Sequence, residues 1–123
     1  MVIKAVELLR KEVGDEVAII AGIVGPFTLA GALLGSRKLL TKALKDPEAI
    51  KPFIDFGVAV AVRMAEALMK AGADIICVED MEASPELVGG ARYRSLVYPS
   101  EVSLFRQIAA PTILHICGDT RSI

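Results

Sequence analysis

Three short apolar runs, at 17–23, 74–79 and 112–117, set the terms on which this chain can fold. Each is rich in β-branched residues and too short for a typical helix, and unbroken hydrophobicity reads as a strand buried on both faces. The intervals between them carry apolar residues at helical spacing. Strand, helix, strand, helix, strand in succession predicts parallel β/α units. A closed (β/α)8 barrel takes about 250 residues, whereas this chain has 123. The expected fold class is therefore α/β, a partial TIM-barrel fragment with about three strands, in a single partial barrel domain spanning 1–123.

The helices read clearly. Residues 2 to 13 form a short amphipathic helix, with Ile3, Val6, Leu9 and Arg10 spaced by threes and fours and Gly14-Asp15 ending it. Gly25-Pro26 turns the chain into a helix from Phe27 to Leu34, and Ser36 caps another through Lys45. Asp46 is a suitable N-cap for the longest helix, with Pro47 at its first position and Glu48 at the positive end of its dipole. Ile50, Phe53, Ile54, Gly57, Ala61, Met64, Ala65 and Leu68 trace its apolar face, and Gly72 stops it. Residues 81 to 98 read as a long irregular connection, and 99 to 109 as a final helix before the third strand.

Composition excludes several classes of function. With 54% hydrophobic and 24% charged residues the chain is not disordered, and a net charge of -1 gives no electrostatic case for nucleic acid. Lys4 and Glu7 interrupt the N-terminal apolar positions, so no signal peptide is read there. No run approaches the ~20 apolar residues that span a bilayer, so a soluble protein without a membrane partner is expected. Cys77 and Cys117 are far apart in apolar settings, which fits a reducing cytoplasm rather than a disulfide framework. Edge strands and two-sided helices in a fragment this size predict a homo-oligomer, with a symmetric dimer covering the open edge or the sheet face.

Parallel β/α folds carry their chemistry at the C-terminal ends of the strands. Three features fall there: Gly25-Pro26-Phe27-Thr28, Glu79-Asp80, and His115-Ile116-Cys117-Gly118. Alternation along a strand projects His115 and Cys117 to one side and Ile116 to the other. An imidazole and a thiolate are ligands that suit zinc, but two ligands are half a site. Taken singly, each feature also has a bland reading, as a tight turn, a solvated strand end and a buried small hydrophobe.

The segments GPFTLAGALLG at 25–35, AGADIICVEDMEAS at 71–84 and PTILHICGDT at 111–120 resemble, in that order, the uroporphyrinogen decarboxylase superfamily. Within it, H-x-C-G is similar to the branch of methylcobamide:coenzyme M methyltransferases, which belong to methanogenesis; the decarboxylases proper do not carry that pair. The resemblance implies a barrel with a deep site at the strand ends, zinc on His115 and Cys117, a catalytic acidic residue lining the cavity at Asp80, and substrate-binding positions at Glu79 and at a cavity-wall turn of Pro26, Phe27 and Thr28. The family's third zinc ligand is a cysteine well downstream, beyond Ile123. Glu79 is the nearer candidate for a supplementary oxygen ligand; Cys77, inside its strand, is a poor one. The chemistry implied is attack by a zinc-bound thiolate on the methyl group of a methyl-cobamide carried by a corrinoid protein. The thiol is coenzyme M or a similar small molecule, and Arg92 or Arg94 is a candidate partner for its sulfonate. The alternatives are a decarboxylase-like enzyme acting on a tetrapyrrole and a truncated barrel that packs without catalysing.

Overall fold

The computed structural model describes residues 1–123 and contains one sheet of three parallel strands. Strand β1 is Ile20–Val24, β2 is Ile75–Glu79 and β3 is Thr112–His115, in the spatial order β1-β2-β3. Before and between them run helices α1 (Val2–Val13), α2 (Pro26–Leu34), α3 (Ser36–Lys45) and α4 (Lys51–Lys70). After β2 come α5 (Pro85–Val88), α6 (Gly90–Arg92) and α7 (Tyr98–Phe105). The parallel β/α reading holds, and no helix is long and apolar enough to cross a membrane.

One hydrophobic cluster lies between the sheet and the helices. Ala21, Ile23, Ile76 and Val78 from β1 and β2 meet Val58, Ala61, Ala65 and Leu68 of α4 and Leu104 of α7. A second gathers Phe27, Leu39, Ile50, Ile54, Val88, Tyr93 and Val97 around α2 and α3. Each fully buried Leu, Ile or Phe contributes roughly 1.5–3 kcal/mol by leaving water. Apolar period thus becomes packing: buried positions 54, 57, 58, 61, 65 and 68 form the inner stripe of α4. Phe53 and Met64, expected on that stripe, sit at its margin and stay exposed.

Several expectations need correction. β1 starts at Ile20 rather than Val17, because the Ile19 amide donates to the Asp74 carboxylate at 2.7 Å. Arg10 also bonds Asp74 and donates to the Gly72 carbonyl at 2.7 and 3.0 Å, so this end is a structural clamp. The strands are not buried on both faces: Ile20, Gly22 and Val24 are exposed while Ala21 and Ile23 are buried. Asp46 does not cap the long helix; it accepts from Lys42 Nζ at 2.8 Å. A 3₁₀ turn at Pro47–Ala49 precedes α4, and Pro52, in the first turn of α4, has no N–H to donate back to it. Ser36 is the first residue of α3, after Gly35, and its hydroxyl donates to Glu82 Oε1 at 2.6 Å.

The connection at 81–98 is largely helical turns rather than irregular loop. Ser84 accepts from the Glu86 amide at 3.3 Å and Pro85 opens α5. A wide π turn covers Tyr93–Val97 just before Pro99, whose missing N–H removes a regular helical bond. The last helix accordingly starts at Tyr98 and ends at Phe105, short of 109.

Candidate metal centre

The three strand ends are laced together in one row. Val24 pairs with Glu79 and Glu79 with His115, and the ladder continues one step further. The Gly25 amide donates to the Glu79 carbonyl at 2.9 Å, and the Asp80 amide to the His115 carbonyl at 3.0 Å. Paired residues of a parallel sheet share a face, so Val24, Glu79 and His115 stand on the open face with Cys77 and Ile113.

β3 ends at His115, yet Cys117 Sγ lies 3.9 Å from His115 Nε2, and both residues are exposed. Ile116, between them, turns inward onto the second hydrophobic cluster. Ligand atoms at ordinary zinc–nitrogen and zinc–sulfur distances on a tetrahedral ion stand about 3.5 Å apart. The pair therefore fits two corners of a zinc site in donor chemistry and in spacing. It does not make a whole site, since no group of three or more His, Cys, Asp or Glu side chains is placed to hold an ion.

Glu79 shares the row but turns away from β3. Its carboxylate lies over Gly22 of β1, where a Cβ would come within 3.0 Å of Oε1. Cys77 keeps its proton: burial first, and then the Glu79 charge, push its thiol pKa up. Cys77 faces a cavity of about 630 Å³ with His115, Tyr93 and Ile113. Arg94 Nη1 donates to the Ser122 carbonyl at 2.5 Å, and neither Arg92 nor Arg94 lines that cavity.

Asp80 requires a revised placement. It lines no open cavity; it is fully buried, and its carboxylate caps α2 from 53 residues away. Pro26 has no N–H to satisfy, and the next two amides donate to Asp80: Phe27 N–H to Oδ2 at 3.1 Å and Thr28 N–H to Oδ1 at 2.6 Å. The Thr28 hydroxyl donates to Oδ1 at 2.7 Å and accepts from the Glu82 amide at 3.0 Å. Gly25 occupies the cap position because the Asp80 side chain fills the space a Cβ would need. Burial raises the Asp80 pKa, against the lowering effect of the Thr28 and Phe27 donors. Pro26 and Phe27 are buried with it and Thr28 is half-buried, so the expected cavity-wall turn is a packed joint beneath the edge.

Sequence reasoning missed a buried acid on α7. Tyr93 donates its hydroxyl to Glu101 Oε2, while Glu101 Oε1 is buried without a partner. Burial pushes the Glu101 carboxyl up to about 7, the Tyr93 hydroxyl opposing and the Asp80 charge adding to the rise. An acid in the first turn of a helix ordinarily reads as a dipole partner in solvent, so only its contact with Tyr93 distinguishes it.

A family model described as uroporphyrinogen decarboxylase (URO-D) matches residues 1–123. The chain is 31% identical over 122 residues to the methylcobamide:CoM methyltransferase MtaA of Methanosarcina barkeri, covering 99% of this chain and 36% of that protein. It is 33% identical over 123 residues to a methylated-thiol--coenzyme M methyltransferase of Methanosarcina mazei, covering 100% of this chain and 34% of the relative. A solved structure of a methyltransferase from Methanosarcina mazei superposes with a TM-score of 0.95 at 29% identity, over 99% of this chain and 36% of its own. The chain thus spans about a third of the length of these relatives.

Proposed function

The chain belongs to the uroporphyrinogen decarboxylase (URO-D) family, and from that premise we propose that it serves methyl transfer from a methyl-cobamide to a small thiol such as coenzyme M. The observation that carries this reading is the His115–Cys117 pair, 3.9 Å apart on the exposed edge at the C-terminal end of β3. His115 and Cys117 would hold zinc. When bound, zinc supplies a positive charge that favours a thiolate over a thiol at neutral pH. The chain's own residues give His115 a rigid seat. Asp80 N–H fixes the His115 carbonyl, and the Asp80 carboxylate ties that strand end to α2. Cys77, held as a neutral thiol, contributes an apolar wall beside His115 rather than a competing thiolate. The methyl donor would arrive on a corrinoid protein, in a reducing cytoplasm.

The test is zinc binding by the 123-residue chain, followed by calorimetry. Two protein ligands supply about half the binding energy of a complete structural site, so a dissociation constant on the order of 10 μM or weaker is expected. His115→Ala and Cys117→Ser should each abolish it, and the chain alone should leave methyl-cobamide and coenzyme M unreacted. Tight zinc untouched by both substitutions would put the metal elsewhere and end this reading.

The open sheet face bears on assembly. Ile20, Val24 and Ile113 are exposed there, an apolar strip that water covers poorly. The isolated chain is expected to self-associate, as a symmetric dimer. Light scattering that returned a stable monomer at micromolar concentration would contradict this.

A further inference from the structure

β3 gives out at His115, so no ladder bond of the strand holds Cys117, and something else must fix the thiol beside the imidazole. We propose that Glu86 is a positioning residue for the His115–Cys117 pair, its carboxylate seating the turn at Gly118 that follows the cysteine. The inference rests on the reading of His115 and Cys117 as metal ligands and deepens it.

Two observations point to Glu86. Its Oε1 accepts from the Asp119 amide at 3.2 Å, across 33 residues of sequence. Gly118 takes a φ of +86, and a Cβ there would lie 2.8 Å from Glu86 Oε2 and 3.0 Å from Ser84 Oγ. The backbone after Cys117 therefore rests directly on the Glu86 carboxylate and the Ser84 hydroxyl, which glycine alone permits. Ser84 is itself held: it is buried, and its hydroxyl accepts from the Glu86 amide at 3.3 Å. The Asp119 side chain is engaged elsewhere, with Arg121 Nε at 2.9 and 3.0 Å, so the bond to Glu86 belongs to the main chain. Glu86 has no ion pair within reach. Its only polar side-chain partner is thus the backbone that carries Cys117. Second-tier groups of this kind tune metal affinity by holding ligands in place.

The experiment compares the wild-type chain, Glu86→Ala and Glu86→Gln, with Cys117→Ser as the control on the metal. Cadmium affinity is read from thiolate absorption, and hydrogen exchange of the Asp119 amide is read by NMR. Glu86→Ala is expected to speed that exchange about tenfold and to weaken cadmium about tenfold. Glu86→Gln, which keeps an acceptor oxygen, should stay within about threefold of wild type in both. Urea midpoints should be unchanged, because the Glu86 side chain is exposed. Wild-type exchange and cadmium affinity in Glu86→Ala would overturn the proposal, as would losses that only track a fall in global stability. Cadmium binding that survives Cys117→Ser, or is absent from the wild type, would sink the ligand reading instead, and Asp119 exchange alone would then decide the role of Glu86.

Discussion

Asp80→Ala is expected to lower the unfolding free energy by about 3 kcal/mol, among the largest effects of any single change in this chain. The substitution strips the acceptor from two helix-terminal amides and one hydroxyl, which sit at 3.1, 2.6 and 2.7 Å from the carboxylate. Asp80 is fully buried, so water cannot replace it without opening the joint between α2 and β2. Unsatisfied buried donors cost about 1–3 kcal/mol each, and partial relaxation keeps the sum below three full penalties. Asp80→Asn retains one acceptor but turns an NH₂ group toward an amide donor, so about half the loss is expected. Because burial already raises the Asp80 pKa, removing its charge returns part of that cost. Urea unfolding at pH 7 is the measurement. An Asp80→Ala chain within about 0.5 kcal/mol of wild type would show that the joint is not the anchor described here.

The pattern of Asp80 explains which parts of the molecule were legible in the sequence. The three strands and the inner stripe of α4 were readable because apolar period is a local property with a local consequence. The origin of β1 was not, since Val17-Ala18 continues the apolar run and only the distant Asp74 takes the Ile19 amide out of the ladder. The strand-end residues were rightly grouped at one edge, but their jobs depend on partners that sequence spacing does not reveal. Asp80 looked like an acid facing a cavity and is a cap delivered across 52 residues to Thr28. Glu79 looked like a third ligand and leans over Gly22 instead. His115 and Cys117 were the exception: two-residue alternation alone placed them together, and it carried past the end of the strand. The expectation of strands covered on both faces failed at Ile20, Gly22 and Val24, because hydrophobic runs record what a strand is made to contact, not what these 123 residues provide.

The pH profile of stability should carry the mark of Glu101. Its carboxyl is 1% exposed, with one oxygen accepting from Tyr93 and the other unpartnered. Burial lifts its pKa from 4.5 to about 7, helped by the Asp80 charge and opposed by the Tyr93 hydroxyl. The folded chain therefore holds this proton more tightly than the unfolded chain does. That stabilisation is complete below the unfolded pKa and is lost as pH rises through the window between about 4.5 and 7, reaching about 3 kcal/mol. Asp80, also raised, adds in the same direction. Asp46, Asp74 and Asp119 are lowered by Lys42, by the Ile19 amide and by Arg121 respectively, and they withdraw stability only at more acidic pH. Maximum stability is thus expected on the acid side of neutrality, near pH 5, with a fall of about 2 kcal/mol by pH 8. Glu101→Gln keeps an acceptor for Tyr93 and cannot ionise, so its urea midpoint should lose most of that slope between pH 5 and 8. The slope is the readout, because the amide's own packing cost shifts both ends alike. A wild-type chain as stable at pH 8 as at pH 5, or a Glu101→Gln chain with the wild-type slope, would show that Glu101 is charged in the folded protein and that the helix it sits on opens to water.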